Sequence, residues 1–236
     1  MKEVRKVAIV VAAGSGSRMG GVIPKQFQEL AGTPLAIHPG LQFRRFDPGI
    51  ELVYVIASGT ALIWETLLQR YFPEGNWRLC MGGKTRYESV RNGVRSISGE
   101  SVLVAIHDGA RPFIDAALIW RSFQTAFSAG NAVVAVPVKD SLREAGDDGR
   151  SRSVDRTRFF SVQTPQVFWI GDLRPVYTQE DNPLFTDDAT VMEQAGFSIN
   201  LVEGSYANMK VTTPEDWELA ERLYERLQNA AGMPPA

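Results

Sequence analysis

Apolar, largely β-branched residues gather in six short runs, at 7–12, 51–57, 77–80, 102–106, 132–138 and 198–202. The segments between most of these runs carry apolar residues at helical spacing, so strands alternate with helices. Thr85 and Glu88 frame a capping box ahead of a helix over 86–97. Asp115 is placed to cap a helix over 116–127, with Gly130 as its stop. Thr186 is placed to cap 187–195, which Gly196 ends. Thr213-Pro214 opens a last helix whose Trp217, Ala220, Tyr224 and Leu227 share one face. The alternation predicts an α/β fold, a Rossmann-like, mainly parallel sheet with helices on both faces.

Residues 139–160 break the pattern, being dense in charge and poor in apolar side chains. Asp148-Gly149 inside them is a hairpin signal. A long solvated loop is one reading, although structureless loops of this length are uncommon in compact domains. The other is a protruding β-hairpin arm, too polar to be stable alone, that packs on a second copy of the chain.

Composition narrows the class. The 236 residues are 44% hydrophobic and 22% charged, ordinary for one globular domain. A net charge of -2 gives no sign of a nucleic-acid surface. No run has the length of a membrane span. The apolar stretch near the N-terminus is short and leads into a glycine loop, so it reads as a first core strand rather than a signal peptide. The single cysteine, Cys80, excludes an internal disulfide and suits a cytoplasmic location; it reads as strand filler. With two histidines and one cysteine, no zinc-type site can be assembled from them.

The richest local chemistry follows the first strand, in VVAAGSGSRMGGVIPKQ at 10–26. The third glycine of a dinucleotide fingerprint is missing, since Met19 stands there, and no Gly-Lys-Ser/Thr of a Walker loop follows. What remains is Ala12, Ala13, Gly14 and Gly16, small residues that let backbone N–H groups approach a nucleotide. Arg18 and Lys25 follow, the latter aimed by Pro24. Two cations on such a loop suit a triphosphate. Taken alone, the stretch also reads as a glycine-rich turn with solvated cations.

AAGSGSRMG followed by PKQF resembles the sugar-phosphate nucleotidyltransferase superfamily. GGKTRYESV, HDGARPF, PVKDSL, VDRTRFF, QTPQVF, FTDDAT and NMKVTTPED then follow in order. Together they resemble the 2-C-methyl-D-erythritol 4-phosphate cytidylyltransferase family, from about residue 7 to 224. The resemblance implies a single nucleotidyltransferase domain over 1–236 with an arm at about 139–160, in a cytoplasmic homodimer joined through that arm. It implies transfer of CMP from CTP to the phosphate of methylerythritol phosphate, with Mg²⁺ as the divalent ion. It implies the single-activity form, without the cyclodiphosphate synthase that fused members carry.

Roles follow position by position from the same resemblance. Arg18 and Lys25 match the basic pair at the reacting α-phosphate. Ala12, Ala13, Gly14 and Gly16 match the loop around the nucleotide, and Gly83, Lys84 and Ser89 the stretch that reads cytosine. Asp108 matches the acidic position near the metal. Arg156 and Lys210 match residues that grip the acceptor phosphate, the first delivered by the arm of a partner chain. Arg111, Ser141 and Thr186 line the acceptor pocket. His107 reads as a packed neighbour of Asp108. Three positions depart from the family pattern: Gly109 and Ser141 replace the commoner Ala and Thr, and Lys84 stands where an acidic residue is frequent. The rival readings are a cytidylyltransferase for another polyol phosphate such as ribitol 5-phosphate, or a non-catalytic nucleotide sensor or scaffold. A nicotinamide oxidoreductase is disfavoured by the failed fingerprint.

Overall fold

The computed structural model describes residues 4–14 and 23–230. Along the chain, β1 (Arg5–Ala12) is followed by a 3₁₀ turn at Lys25–Phe27, a small hairpin of β2 (Glu29–Leu30) and β3 (Thr33–Pro34), and α1 (Ile37–Phe46). Then β4 (Glu51–Ile56), α2 (Ala61–Tyr71), β5 (Trp77–Met81), α3 (Arg86–Ser96), β6 (Val102–Asp108), α4 (Ala116–Ala129) and β7 (Asn131–Pro137) alternate. A hairpin of β8 (Arg143–Ala145) and β9 (Ser151–Ser153) comes next. It is followed by β10 (Phe160–Trp169), α5 (Ile170–Val176), α6 (Asp188–Gln194), β11 (Leu201–Glu203) and α7 (Pro214–Ala230).

Among the described residues, seven strands form one sheet in the order β11-β7-β10-β6-β1-β4-β5. β10 runs antiparallel to both of its neighbours, and every other pairing is parallel. The mainly parallel sheet therefore holds, with one reversed strand inserted. Every residue of β6 is buried, because helices cover both faces. Alternate residues of β1 go to opposite layers. Ala8 and Val10 pack with Phe43 of α1, Trp64 of α2 and Phe123 of α4. Val7 and Ile9 pack with Val90 of α3, Leu173 of α5 and Met192 of α6. Burying each such aliphatic side chain is worth roughly 1.5–3 kcal/mol, which makes β1 and β6 the fixed axis of the molecule.

Several boundaries differ from the pattern-based expectation. β10 is absent from it, because Gln163, Thr164 and Gln166 are polar yet buried and Pro165 interrupts the run. Its ladder with β7 shifts register between Val162 and Gln166. Phe160 opens this strand rather than ending the arm. The last strand lies at 201–203, not 198–202. α6 is capped by Asp187, whose side chain accepts from the Thr190 N–H, and not by Thr186. Thr85 and Asp115 cap α3 and α4 as expected, and Gly130 ends α4 with φ +94°. On α7, Ala220 is fully buried beside Trp217 and Tyr224, whereas Leu227 stays 46% exposed. β8 and β9 pair antiparallel around a turn in which Gly149 takes φ +77°, and all their residues are exposed.

Candidate active site

In open α/β sheets a crevice forms beyond the C-terminal strand ends where the chain order reverses. Here that point is between β1 and β6: the strands after β1 are added on its β4 side, and β6 returns to the other. The loops after β1, β5 and β6 bound a cleft of about 380 Å³. Ala12, Ala13, Gly14, Lys25, Gly83, Lys84 and Ser89 all line it, with Asp108 and Lys210. A second cleft, of about 520 Å³, opens toward β10 and α6 and receives Arg111 and Thr186. Arg86, Asp108 and Lys210 line both, so one charged wall divides two chambers.

The first cleft is shaped by a tight turn between β5 and α3. A Cβ on Gly83 would sit 2.3 Å from the Glu88 Cβ, so only glycine fits there. The Ser89 hydroxyl donates to the Thr85 carbonyl at 2.8 Å and accepts from the Gly83 N–H at 3.1 Å. The Lys84 N–H donates to Glu88 Oε2 at 2.6 Å. The capping box thus fixes the loop as well as starting the helix. The Gly109 N–H donates to the Val11 carbonyl at 3.0 Å, tying β6 to β1 beneath the cleft.

Asp108 ends β6 and is 7% exposed. Lys210 Nζ lies 2.9 Å and Arg111 Nε 3.3 Å from its Oδ2, and Arg86 Nε lies 3.5 Å from its Oδ1. Burial pushes this carboxyl up, but Arg86, Lys210 and Arg111 together outweigh burial and hold it well below the usual carboxylate range. Asp108 is therefore ionised at neutral pH. Its backbone is fixed too, because its N–H donates to Thr164 Oγ1 at 3.0 Å. Burial lowers the neighbouring His107 to about 4, so its ring is neutral. His107 Nε2 lies 3.1 Å from the Arg111 carbonyl, which can only accept, so Nε2 carries the proton. Nδ1 is then an acceptor for the Thr164 hydroxyl at 3.2 Å. His107 is a fully buried, hydrogen-bonded brace for the Asp108 loop.

Residues 208–211 deliver the other cations. Arg111 Nη1 donates to the Asn208 carbonyl at 2.9 Å, and the Val211 N–H donates to the Ala110 carbonyl at 2.8 Å. Lys25 Nζ donates to the Val211 carbonyl at 2.7 Å. The segment that follows β11 thereby positions Lys210 and tethers Lys25 across the first cleft.

Arg156 and Ser141 are exposed and line neither cleft of their own chain; Arg156 Nη1 donates to the Lys139 carbonyl. Gly16 and Arg18 lie outside the described residues, as does the C-terminal tail. The residue reading missed Arg86 and Thr164. Both stand inside quoted motifs, but their partners are 22 to 102 residues away, which no local signal reveals.

Among the described residues, no three His, Cys, Asp or Glu side chains meet as a metal cage. Mg²⁺ commonly uses one or two carboxylates together with substrate phosphates. Asp108 meets that need, since among the described residues its Oδ1 has only the 3.5 Å contact to Arg86 and keeps room for another partner. The donor set fits an ion that arrives on a triphosphate.

The model of the 2-C-methyl-D-erythritol 4-phosphate cytidylyltransferase family (IspD) matches residues 6–226. A protein of that name from Porphyromonas gingivalis is 40% identical over 223 residues, covering 94% of this chain and 98% of its own. Its counterpart from Bacteroides thetaiotaomicron is 36% identical over 220 residues, covering 93% of this chain and all of its own. The crystal structure of a 4-diphosphocytidyl-2C-methyl-D-erythritol synthase from Anaerococcus prevotii superposes with a TM-score of 0.82 at 28% identity, covering 94% of this chain and 99% of its own. The two-chambered crevice and these matches agree, and the chain belongs to the 2-C-methyl-D-erythritol 4-phosphate cytidylyltransferase family.

Proposed function

We infer that the chain transfers CMP from CTP to the phosphate of 2-C-methyl-D-erythritol 4-phosphate, a step in isoprenoid precursor synthesis. An oxygen of the acceptor phosphate bonds to the α-phosphorus, and the bond from that phosphorus to the pyrophosphate oxygen breaks. The products are 4-diphosphocytidyl-2-C-methyl-D-erythritol and pyrophosphate. The nucleophile is already ionised, so no general base is required, and the work is positioning and charge neutralisation. The carrying observation is the wall of Arg86, Asp108 and Lys210 that separates the two clefts. We assign the first cleft to CTP and the second to the acceptor, with the reacting groups meeting at the wall.

In this reading Lys25 and Arg18 stabilise charge at the α-phosphate, and Gly83, Lys84 and Ser89 face the cytosine. Lys210, Arg111 and Thr186 receive the acceptor. Asp108 holds the Mg²⁺ that accompanies CTP; that ion would supply neutralisation of triphosphate charge. Arg156 reaches the second cleft of a partner chain in a homodimer. The exposure of β8 and β9 supports that placement, as do Phe159, Phe160 and Val162 at their base, which remain 44%, 45% and 42% exposed. Free Cys80 is in keeping with a cytoplasmic enzyme, and no helix among the described residues is long and apolar enough to cross a membrane. The test is pyrophosphate release with CTP and Mg²⁺, comparing methylerythritol phosphate with ribitol 5-phosphate. Faster turnover of the ribitol compound would reassign the acceptor.

A further inference from the structure

Arg86 is set apart from the other cations around Asp108. Lys210 and Arg111 approach Oδ2 and, like Arg86, line the second cleft, where an incoming phosphate would compete for them. Arg86 stands on the Oδ1 side and is clamped from behind. Its Nη1 and Nη2 donate to the two carboxylate oxygens of Asp188 at 3.0 and 2.7 Å. Asp188 is fully buried and lines neither cleft. The Tyr177 hydroxyl donates to its Oδ1 at 2.5 Å. The start of α6 is itself anchored, because the neighbouring Asp187 accepts from Gln166 Nε2 of β10 at 2.8 Å. A guanidinium bound at both edges of its fork has little freedom to follow a substrate, whereas a lysine could not make this paired contact.

We propose that Asp188 is a positioning residue for the transfer: supported by Tyr177, it locks Arg86, and Arg86 keeps Asp108 in place on the wall between the clefts. The inference rests on the assignment of those clefts to nucleotide and acceptor. When the acceptor phosphate draws on Lys210 and Arg111, Arg86 is the cation that stays with Asp108. Removing the Asp188 charge frees the guanidinium and lets the Asp108 carboxylate turn, although nothing that touches substrate has been changed.

The experiment compares kcat, the KM of each substrate and thermal unfolding for wild type, Asp188→Asn, Arg86→Lys and Arg86→Ala. Loss of an outer partner of this kind lowers activity about 10–100-fold. Asp188→Asn is expected to lower kcat within that range while leaving the KM for CTP within about threefold, the split that marks an interaction realised in the transition state. Arg86→Lys should not restore the rate, and added guanidinium should recover part of the Arg86→Ala rate. A folded Asp188→Asn with wild-type kcat overturns the inference. If that variant fails to fold, Tyr177→Phe and the guanidinium experiment decide; unchanged kcat in the first with no recovery in the second overturns it equally. Wild type inactive with CTP and methylerythritol phosphate overturns the reaction reading and this inference with it. Active wild type beside an unaffected Asp188→Asn overturns this inference alone.

Discussion

Thr164→Val changes one atom type at the point where β10 meets the end of β6. The side chain keeps its shape and loses a hydroxyl that serves two buried groups. Thr164 is 4% exposed, His107 fully buried and Asp108 7% exposed. Without the hydroxyl, the Asp108 N–H loses its acceptor and His107 Nδ1 loses its donor. The imidazole cannot compensate by changing tautomer, because Nε2 must keep its proton for the Arg111 carbonyl. Each orphaned group costs roughly 1–3 kcal/mol. Against this, the new methyl adds about 0.8 kcal/mol of apolar burial. The net expectation is a loss of about 1–5 kcal/mol, centred near 3. Thr164→Ser keeps the hydroxyl, loses a methyl and should cost about 1 kcal/mol. Urea unfolding of both variants, with m-values checked for equality, measures the difference. The valine variant must be the less stable of the two. If it matches or exceeds the serine variant, the hydroxyl is not the brace inferred here and the assigned direction of the His107–Thr164 hydrogen bond is wrong.

Lys25→Ala should lower kcat about 10²–10³-fold with a smaller change in the KM for CTP, as for loss of a preorganised donor; steady-state kinetics showing only a raised KM would make Lys25 a ground-state contact. Mixing Lys25→Ala with Arg156→Ala chains tests the arm: a shared site leaves one intact site in each mixed dimer and returns roughly a quarter of wild-type activity. Verified heterodimers as inactive as their parents would place Arg156 in its own chain's site. Burial lowers both His107, to about 4, and His38. Their folded values lie below the unfolded one of about 6.5, so the unfolded chain binds more protons as the medium turns acid. This stability is full above about pH 6.5 and is lost as pH falls toward the folded values; His107 alone should forfeit about 2 kcal/mol between pH 7.5 and 5. Urea midpoints that do not move over that interval would contradict the burial of the neutral rings.

The sequence by itself determined the layered α/β plan, because β1, β4, β6 and β7 are enclosed on both faces and must be almost wholly apolar. It also determined the starts of α3 and α4, since Thr85 and Asp115 bond N–H groups three residues on, and such contacts are written locally. Of the first-cleft residues, Ala12, Ala13, Gly14 and Lys25 were legible as a glycine loop after a strand, whereas Gly83, Lys84, Ser89 and Lys210 came only from the family resemblance. β10 was not legible. Its inward Gln163, Thr164 and Gln166 look like surface residues until Ser205, His107, Asp187 and Ala189 arrive from elsewhere to satisfy them. The cap of α6 fell to Asp187 over Thr186 because only the former's carboxylate meets both Thr190 and Gln166. The arm's polarity was visible, and so was its turn at Asp148-Gly149, around which β8 and β9 pair. Only the tertiary structure set Arg86 between Asp188 and Asp108, and with them the wall that makes two chambers from one crevice. Charge complementarity acts through space across 22 and 102 residues of chain, and hydrophobic periodicity carries no record of it.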